Sequence, residues 1–187
     1  MILVAARTAR AIQLAVVAAS LALLGALLGD TLLAVPLIPS GLPATWLIAL
    51  ASANLLAIAV RPAWGAISLT LRRNPSWWSA QIAFAFLLGV GAYLPVAISH
   101  WHAPETTAWL LLLAVAALAC AIAPALAWMP ITLIGIGIAC LNGALGGTLY
   151  ERFAAHEPGI RLLLLASIVA GVAAIAGRTR RLSWYVS

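Results

Sequence analysis

The stretch "TAWLLLLAVAALACAIAPALAWMPITLIGIGIACLNGALGGTL", residues 107–149, contains no charged side chain. One membrane-crossing helix needs about 20 apolar residues, so this run is long enough for two. Pro124 and Pro130 interrupt it near its middle. Proline removes a backbone donor and breaks helix propagation, so the stretch reads as a tight hairpin of two apolar helices, with Pro130 in the turn and Pro124 kinking the first arm.

The rest of the chain has the same character. Of its 187 residues 65% are hydrophobic and 7% charged, and the mean hydropathy is +1.13. A soluble domain of ordinary composition carries about a quarter of its residues as charges, which this sequence cannot supply. The reading is therefore an all-α, polytopic membrane protein whose single transmembrane domain spans 1–187. Its apolar runs predict six transmembrane helices, over about 11–33, 44–60, 79–99, 107–128, 131–149 and 160–177. The first run follows Arg7 and Arg10 as a signal peptide would, but it is longer than the apolar core of such a peptide, and no clean cleavage pattern follows.

Arginine orients the spans, because positive loops are retained in the cytoplasm. Arg7, Arg10, Arg61, Arg72, Arg73, Arg178, Arg180 and Arg181 all fall on one side of a six-span scheme. The other side receives Asp30, Glu105, Glu151 and Glu157 with Arg152 and Arg161, so both termini are expected to be cytoplasmic. Every tryptophan lies near a predicted helix end, where indole suits the headgroup level. The formal net charge of +6 is thus a topology signal; arginines scattered among short loops give no groove for nucleic acid. An arginine- and alanine-rich chain without lysine fits a GC-rich bacterial genome, which suggests the bacterial plasma membrane.

Small residues let membrane helices approach closely. Gly135, Ala139, Gly143 and Gly147 recur at every fourth position of the fifth span, and Gly25 and Gly29, with Ala18, Ala22 and Ala26, mark the first. Ala166, Ala170 and Ala174 do the same in the sixth. Intramolecular packing is the plain reading of these stripes. Cys120 and Cys140 lie on opposite arms of the hairpin at similar depth and read as small apolar residues.

Chemistry has little material. His100, His102 and Glu105 in "SHWHAPE" are weak candidates for an outer metal site, which His156 and Glu157 from the separate outer segment "AAHEPG" could join. No nucleophile elbow, zincin or phosphate-loop motif occurs, so no enzyme and no cofactor is expected. The spans contain no ionisable residue at depth, which disfavours a self-powered ion-coupled transporter. Any uphill transport would need a partner's energy.

The longest polar interruption is "VRPAWGAISLTLRRNPSWWSAQ", residues 60–81. As a helix it places Trp64, Ile67 and Leu71 on one face with Arg73 turned away, between Pro62 and Pro75. It suits an element on the inner surface, and Trp64, Ile67, Leu71, Arg72 and Arg73 are the expected coupling residues to a cytoplasmic partner or to lipid phosphates.

This layout resembles that of the ABC-2 type (type V) exporter permeases: "MILVAARTAR" stands where they have an amphipathic N-terminal stretch, "RPAWGAISLTLRRNPSWW" where they have a coupling helix, and "YERFAAHEPGIR" where they have an outer re-entrant element. The resemblance implies a dimeric pore with a second membrane subunit, membrane lipids around it, and a separate cytoplasmic nucleotide-binding subunit that powers export of an apolar or amphipathic cargo. Two alternatives stand beside it: a non-transporting accessory subunit of a larger membrane complex, and the substrate-binding S-component of a vitamin importer. The topology itself predicts that Arg73→Cys is labelled only from the cytoplasmic side, and Glu105→Cys and Glu157→Cys only from outside, in a background lacking Cys120 and Cys140. Outside labelling at position 73 would overturn the scheme.

Overall fold

The computed structural model describes residues 2–28, 31–35, 38–60, 75–99, 104–123, 125–145 and 157–184. The chain is predominantly helical. Among the described residues it forms α1 (Ile2–Leu28), a hairpin of β1 (Leu32–Val35) and β2 (Ile38–Pro43), α2 (Ala44–Val60), α3 (Pro75–Ser99), α4 (Pro104–Ile122), α5 (Trp128–Ala144) and α6 (Glu157–Trp184).

Among the described residues, four helices hold a segment long and apolar enough to cross a membrane: Arg10–Leu28, Ile82–Ser99, Glu105–Ile122 and Pro158–Ile175. Ala44–Val60 and Trp128–Ala144 are equally apolar but have 17 residues each, about 25 Å of helix against about 30 Å of hydrocarbon. Large apolar side chains point outward from the bundle, among them Leu27 on α1, Ile98 on α3 and Leu163 on α6, each about 70% exposed or more. A soluble monomer rarely leaves so much apolar surface open. These helices are compatible with a multi-pass membrane protein.

The helical character agrees with the expectation, to which the structure adds a two-stranded hairpin. The first run was read as helical to residue 33, but α1 stops at Leu28 and the chain turns back on itself. Leu32 pairs with Pro43, Leu33 with Leu42 and Val35 with Ile38, antiparallel, with a register shift between Leu33 and Val35. Extra residues on β2 take up the shift, and Gly41 does so at φ +73°, a backbone angle that glycine adopts without a Cβ penalty. Thr31 ties the hairpin at both ends: its N–H donates to the Leu28 carbonyl and its carbonyl accepts from Ala44 N–H, both at 2.9 Å.

The hairpin between α4 and α5 also differs in detail from its reading. Helix α4 ends at Ile122, ahead of Pro124, so the proline follows the helix end instead of kinking it; the residue before a proline is driven out of the helical region. Leu126 N–H bonds the Ala123 carbonyl and Met129 N–H the Leu126 carbonyl, each at 3.0 Å. Pro130 lies in the first turn of α5, where its missing N–H costs no helical bond. Pro95 is carried inside α3, which runs on to Ser99.

Helix α2 is the centre of the bundle. Twelve of its 17 residues are buried, and α1, α3, α4 and α5 all pack against it. Glycines on three neighbours permit this. A Cβ at Gly89 of α3 would lie 2.9 Å from Leu56 Cβ, one at Gly135 of α5 would lie 2.5 Å from Leu50 Cδ1, and one at Gly25 of α1 would lie 2.6 Å from Val96 Cγ2 and 3.6 Å from Ile48 Cδ1.

Helix α6 packs instead along α4 and α3. Its closest approach is at Gly171, where a Cβ would come within 2.7 Å of Ala117 Cβ and 2.9 Å of the Ala117 carbonyl carbon. Backbone cannot rotate aside as the tip of Leu50 can. Gly171→Ala is therefore expected to lower the stability of the detergent-solubilised protein by about 1–3 kcal/mol, read by thermal unfolding. Gly137→Ala, which has open space around the added atom, should leave stability unchanged or raise it by up to about 1 kcal/mol.

Candidate functional site

Polar side chains inside an apolar bundle are where function is to be sought, since each must find a partner or cost stability. A seam of them runs between α2, α3, α4 and α6, near the bundle end that holds the β-hairpin. On α2, Ser52 donates its hydroxyl to the Ala49 carbonyl at 2.8 Å and accepts the indole N–H of Trp109 from α4 at 3.0 Å. Tyr93 of α3 stacks on the Trp109 ring, with centroids 4.7 Å apart and planes 22° from parallel. Ser52, Tyr93 and Trp109 are all buried. An aromatic pair in this geometry is worth about 0.5–1.5 kcal/mol beyond its burial.

Further along, the guanidinium Nε–H of Arg161 on α6 donates to Thr107 Oγ1 of α4 at 3.1 Å. Arg161 is only 8% exposed, and Thr106 and Thr107 beside it are buried. Arg161 and Thr107 both stand near the starts of their helices. Towards the other end of the bundle, Asn54 Nδ2 donates to the Leu50 carbonyl at 3.0 Å, and Thr132 of α5, bonded to the Trp128 carbonyl at 2.8 Å, lies 3.5 Å from Asn54 Oδ1. Arg10 of α1 reaches the Ile58 carbonyl at 3.1 Å.

At that same end a groove of about 370 Å³ opens along the α4–α5 hairpin, lined by Val115, Leu118, Ala119, Ile122, Leu126 and Pro130 among other apolar residues. The pairs described above join one helix to another or to its own backbone. Their chemistry is adhesion and orientation; none sets a nucleophile beside a base.

The residues singled out from sequence are distributed unevenly. Trp64, Ile67, Leu71, Arg72 and Arg73 lie outside the described residues, as do His100, His102, His156, Gly29 and Gly147. Glu105 stands in the first turn of α4, where a carboxylate complements the helix dipole, and no group of three metal-ligating side chains occurs among the described residues. Gly25 and Gly135 lie in helix contacts, Ala139 is buried, and Gly143 is half-buried. Cys120 is buried and Cys140 exposed, both as free thiols.

Three findings depart from the sequence reading. Trp46 and Trp109 were placed at the lipid interface, but they are 1% and 4% exposed and face the interior. Ala166, Ala170 and Ala174 are exposed, while α6 packs through Arg161, Gly171 and Ile175. Arg161 was counted among loop charges, although it lies within the apolar run assigned to the last span.

No protein-family model, curated protein or solved structure matches the chain. The molecule is therefore defined by its own geometry: a helical bundle with large apolar side chains on its exterior and an internal seam of polar side chains. The Ser52–Trp109 bond is the part most open to test. Ser52→Ala strands a buried indole N–H and should cost about 1–3 kcal/mol in detergent unfolding. Adding Trp109→Phe to Ser52→Ala should cost less than the two single losses combined, whereas strict additivity would show that the two side chains do not interact.

Proposed function

We propose that this chain is a six-span subunit of a membrane transport complex, with both termini in the cytoplasm and with its cargo path at an interface with other chains. The observation that carries this reading is the filled interior: Ala49, Ser52, Ala53 and Leu56 of the central helix are fully enclosed, each at 0% exposure. A solute route through one copy would have to displace α2, so the route falls between copies or between subunits. The apolar outer faces of the bundle suit a lipid-like or otherwise apolar cargo moving along such an interface. On this reading the two 17-residue helices cross by local thinning of the bilayer, and energy comes from a cytoplasmic nucleotide-binding subunit docked on residues 60–81, as in the exporter permeases that the layout resembles.

The polar seam favours a second reading, an accessory subunit. Bonds such as Trp109 to Ser52 and Arg161 to Thr107 tie one helix to another, a property useful for holding a larger complex together.

Purification in mild detergent separates the two readings. An exporter permease brings down a nucleotide-binding subunit with ATPase activity, and Ile67→Ser combined with Leu71→Ser should reduce that activity while leaving insertion intact, because the flanking arginines still hold the segment inside. If no ATPase accompanies the unaltered chain, the exporter reading fails and the accessory reading replaces it.

A further inference from the structure

Among the described residues, α1 is the least enclosed of the long apolar helices. Only 11% of the Arg10–Leu28 segment is buried, against 44% for Ile82–Ser99 and 61% for Glu105–Ile122. It meets the bundle through Leu14, Ala18, Leu21 and Gly25 and leaves its other side open.

That open side is not plain hydrocarbon. Among the described residues of the six helices, the exposed amides and hydroxyls are those of Gln13, Ser20 and Ser99. Ser99 ends α3 and donates to its own Pro95 carbonyl at 3.0 Å. Gln13 and Ser20 both belong to α1, seven residues apart, which puts them on one side of the helix. The contrast is α6, the other lightly buried helix: between residues 162 and 174 its exposed side carries leucine, alanine and valine alone, which suits lipid.

Gln13, Val16, Ser20, Leu23 and Leu27 are all exposed and follow one another at alternating steps of three and four, the heptad spacing of a seam between two helices. Arg10, bonded to the Ile58 carbonyl, marks one end of the segment. Ser20 lies about 15 Å further along at the standard rise per residue, half-way across about 30 Å of hydrocarbon. Lipid tails offer no hydrogen bond there, whereas a second helix does.

We propose that this seam pairs α1 with the α1 of a second copy of the chain, the two helices running parallel. Copies inserted by the same charge rule share one orientation, so a two-fold axis normal to the membrane sets each seam residue opposite itself at the same depth. Every member of the seam accepts that arrangement. A carboxamide and a hydroxyl each hold both a donor and an acceptor and bond their own kind. Val16, Leu23 and Leu27 pack against their counterparts, and the seam has no charge to repel its copy. The polar residues at seam positions then fix register and the number of strands. This contact rests on the membrane reading given above, but not on which of the two functional readings holds.

Disulfide cross-linking in native membranes tests it, in a chain carrying Cys120→Ala and Cys140→Ala. Under mild oxidation, Val16→Cys, Ser20→Cys and Leu23→Cys should each give a covalent homodimer, while Ala15→Cys and Ala26→Cys, exposed but off the seam, should give little. Gln13→Leu keeps the volume and removes the amide. It should weaken association about threefold, the typical worth of one interhelical hydrogen bond, read by energy transfer between labelled copies at decreasing protein-to-lipid ratio. Because position 13 is exposed, the unfolding temperature of the single chain should stay unchanged. Equal yields on and off the seam, no homodimer at the three seam positions, or capture of the seam cysteines by a different membrane protein would each overturn the paired seam while leaving the membrane reading in place. Recovery of the chain from the aqueous fraction would overturn both.

Discussion

The fold depends on enclosing α2. A helix walled in by others on most sides has to offer small side chains where neighbours cross and has to be met by small ones in return. Ala49, Ala53 and Ala57 supply the first condition, each nearly or wholly buried. Gly25, Gly89 and Gly135 on three separate helices supply the second. In hydrocarbon there is little hydrophobic drive between helices, so dispersion across such close contacts, with interhelical hydrogen bonds, is what holds a bundle together.

That enclosure has a polar cost, met locally. Ser52 sits at the core of the bundle and is relieved by its own Ala49 carbonyl and by the indole of Trp109. The β-hairpin solves a related problem at the end of the bundle. It leads straight into α2 with its strands paired antiparallel across a register shift, and β2 packs against α2 and α5, so backbone already paired with itself meets the two shortest helices. Unsatisfied backbone groups at membrane depth cost several kcal/mol each.

Sequence reading carries the helical, apolar character of the chain and places α2 at 44–60, because uninterrupted hydropathy depends on composition alone. It overruns at residues 31–33 for the same reason: "TLLAV", residues 31–35, is as apolar as the helix before it, and only the later Pro-Ser-Gly signature hints at a strand pair. Which face of a helix points inward was far less legible. A regular stripe at Ala166, Ala170 and Ala174 turned out exposed, while a lone Gly171 makes the closest backbone contact; periodicity measures spacing and says nothing of what lies opposite. Trp109 misled in the same way. A tryptophan near a helix end suits either the headgroups or a buried partner, and the partner, Ser52, is 57 residues away. Arg161 was hidden by its position at the margin of an apolar run, where a buried and a solvated arginine look alike.

On the proposed transport reading, a bundle closed around α2 would deny cargo a path through the single chain. Cysteine scanning along α2 with a membrane-impermeant thiol reagent, in a background without Cys120 and Cys140, tests this most directly. The account predicts that Ala49→Cys, Ala53→Cys and Ala57→Cys in intact membranes resist the reagent from both sides and become reactive only on denaturation. Rapid modification at Ala49 or Ala53 in the folded protein would reveal water along α2 and contradict the closed interior.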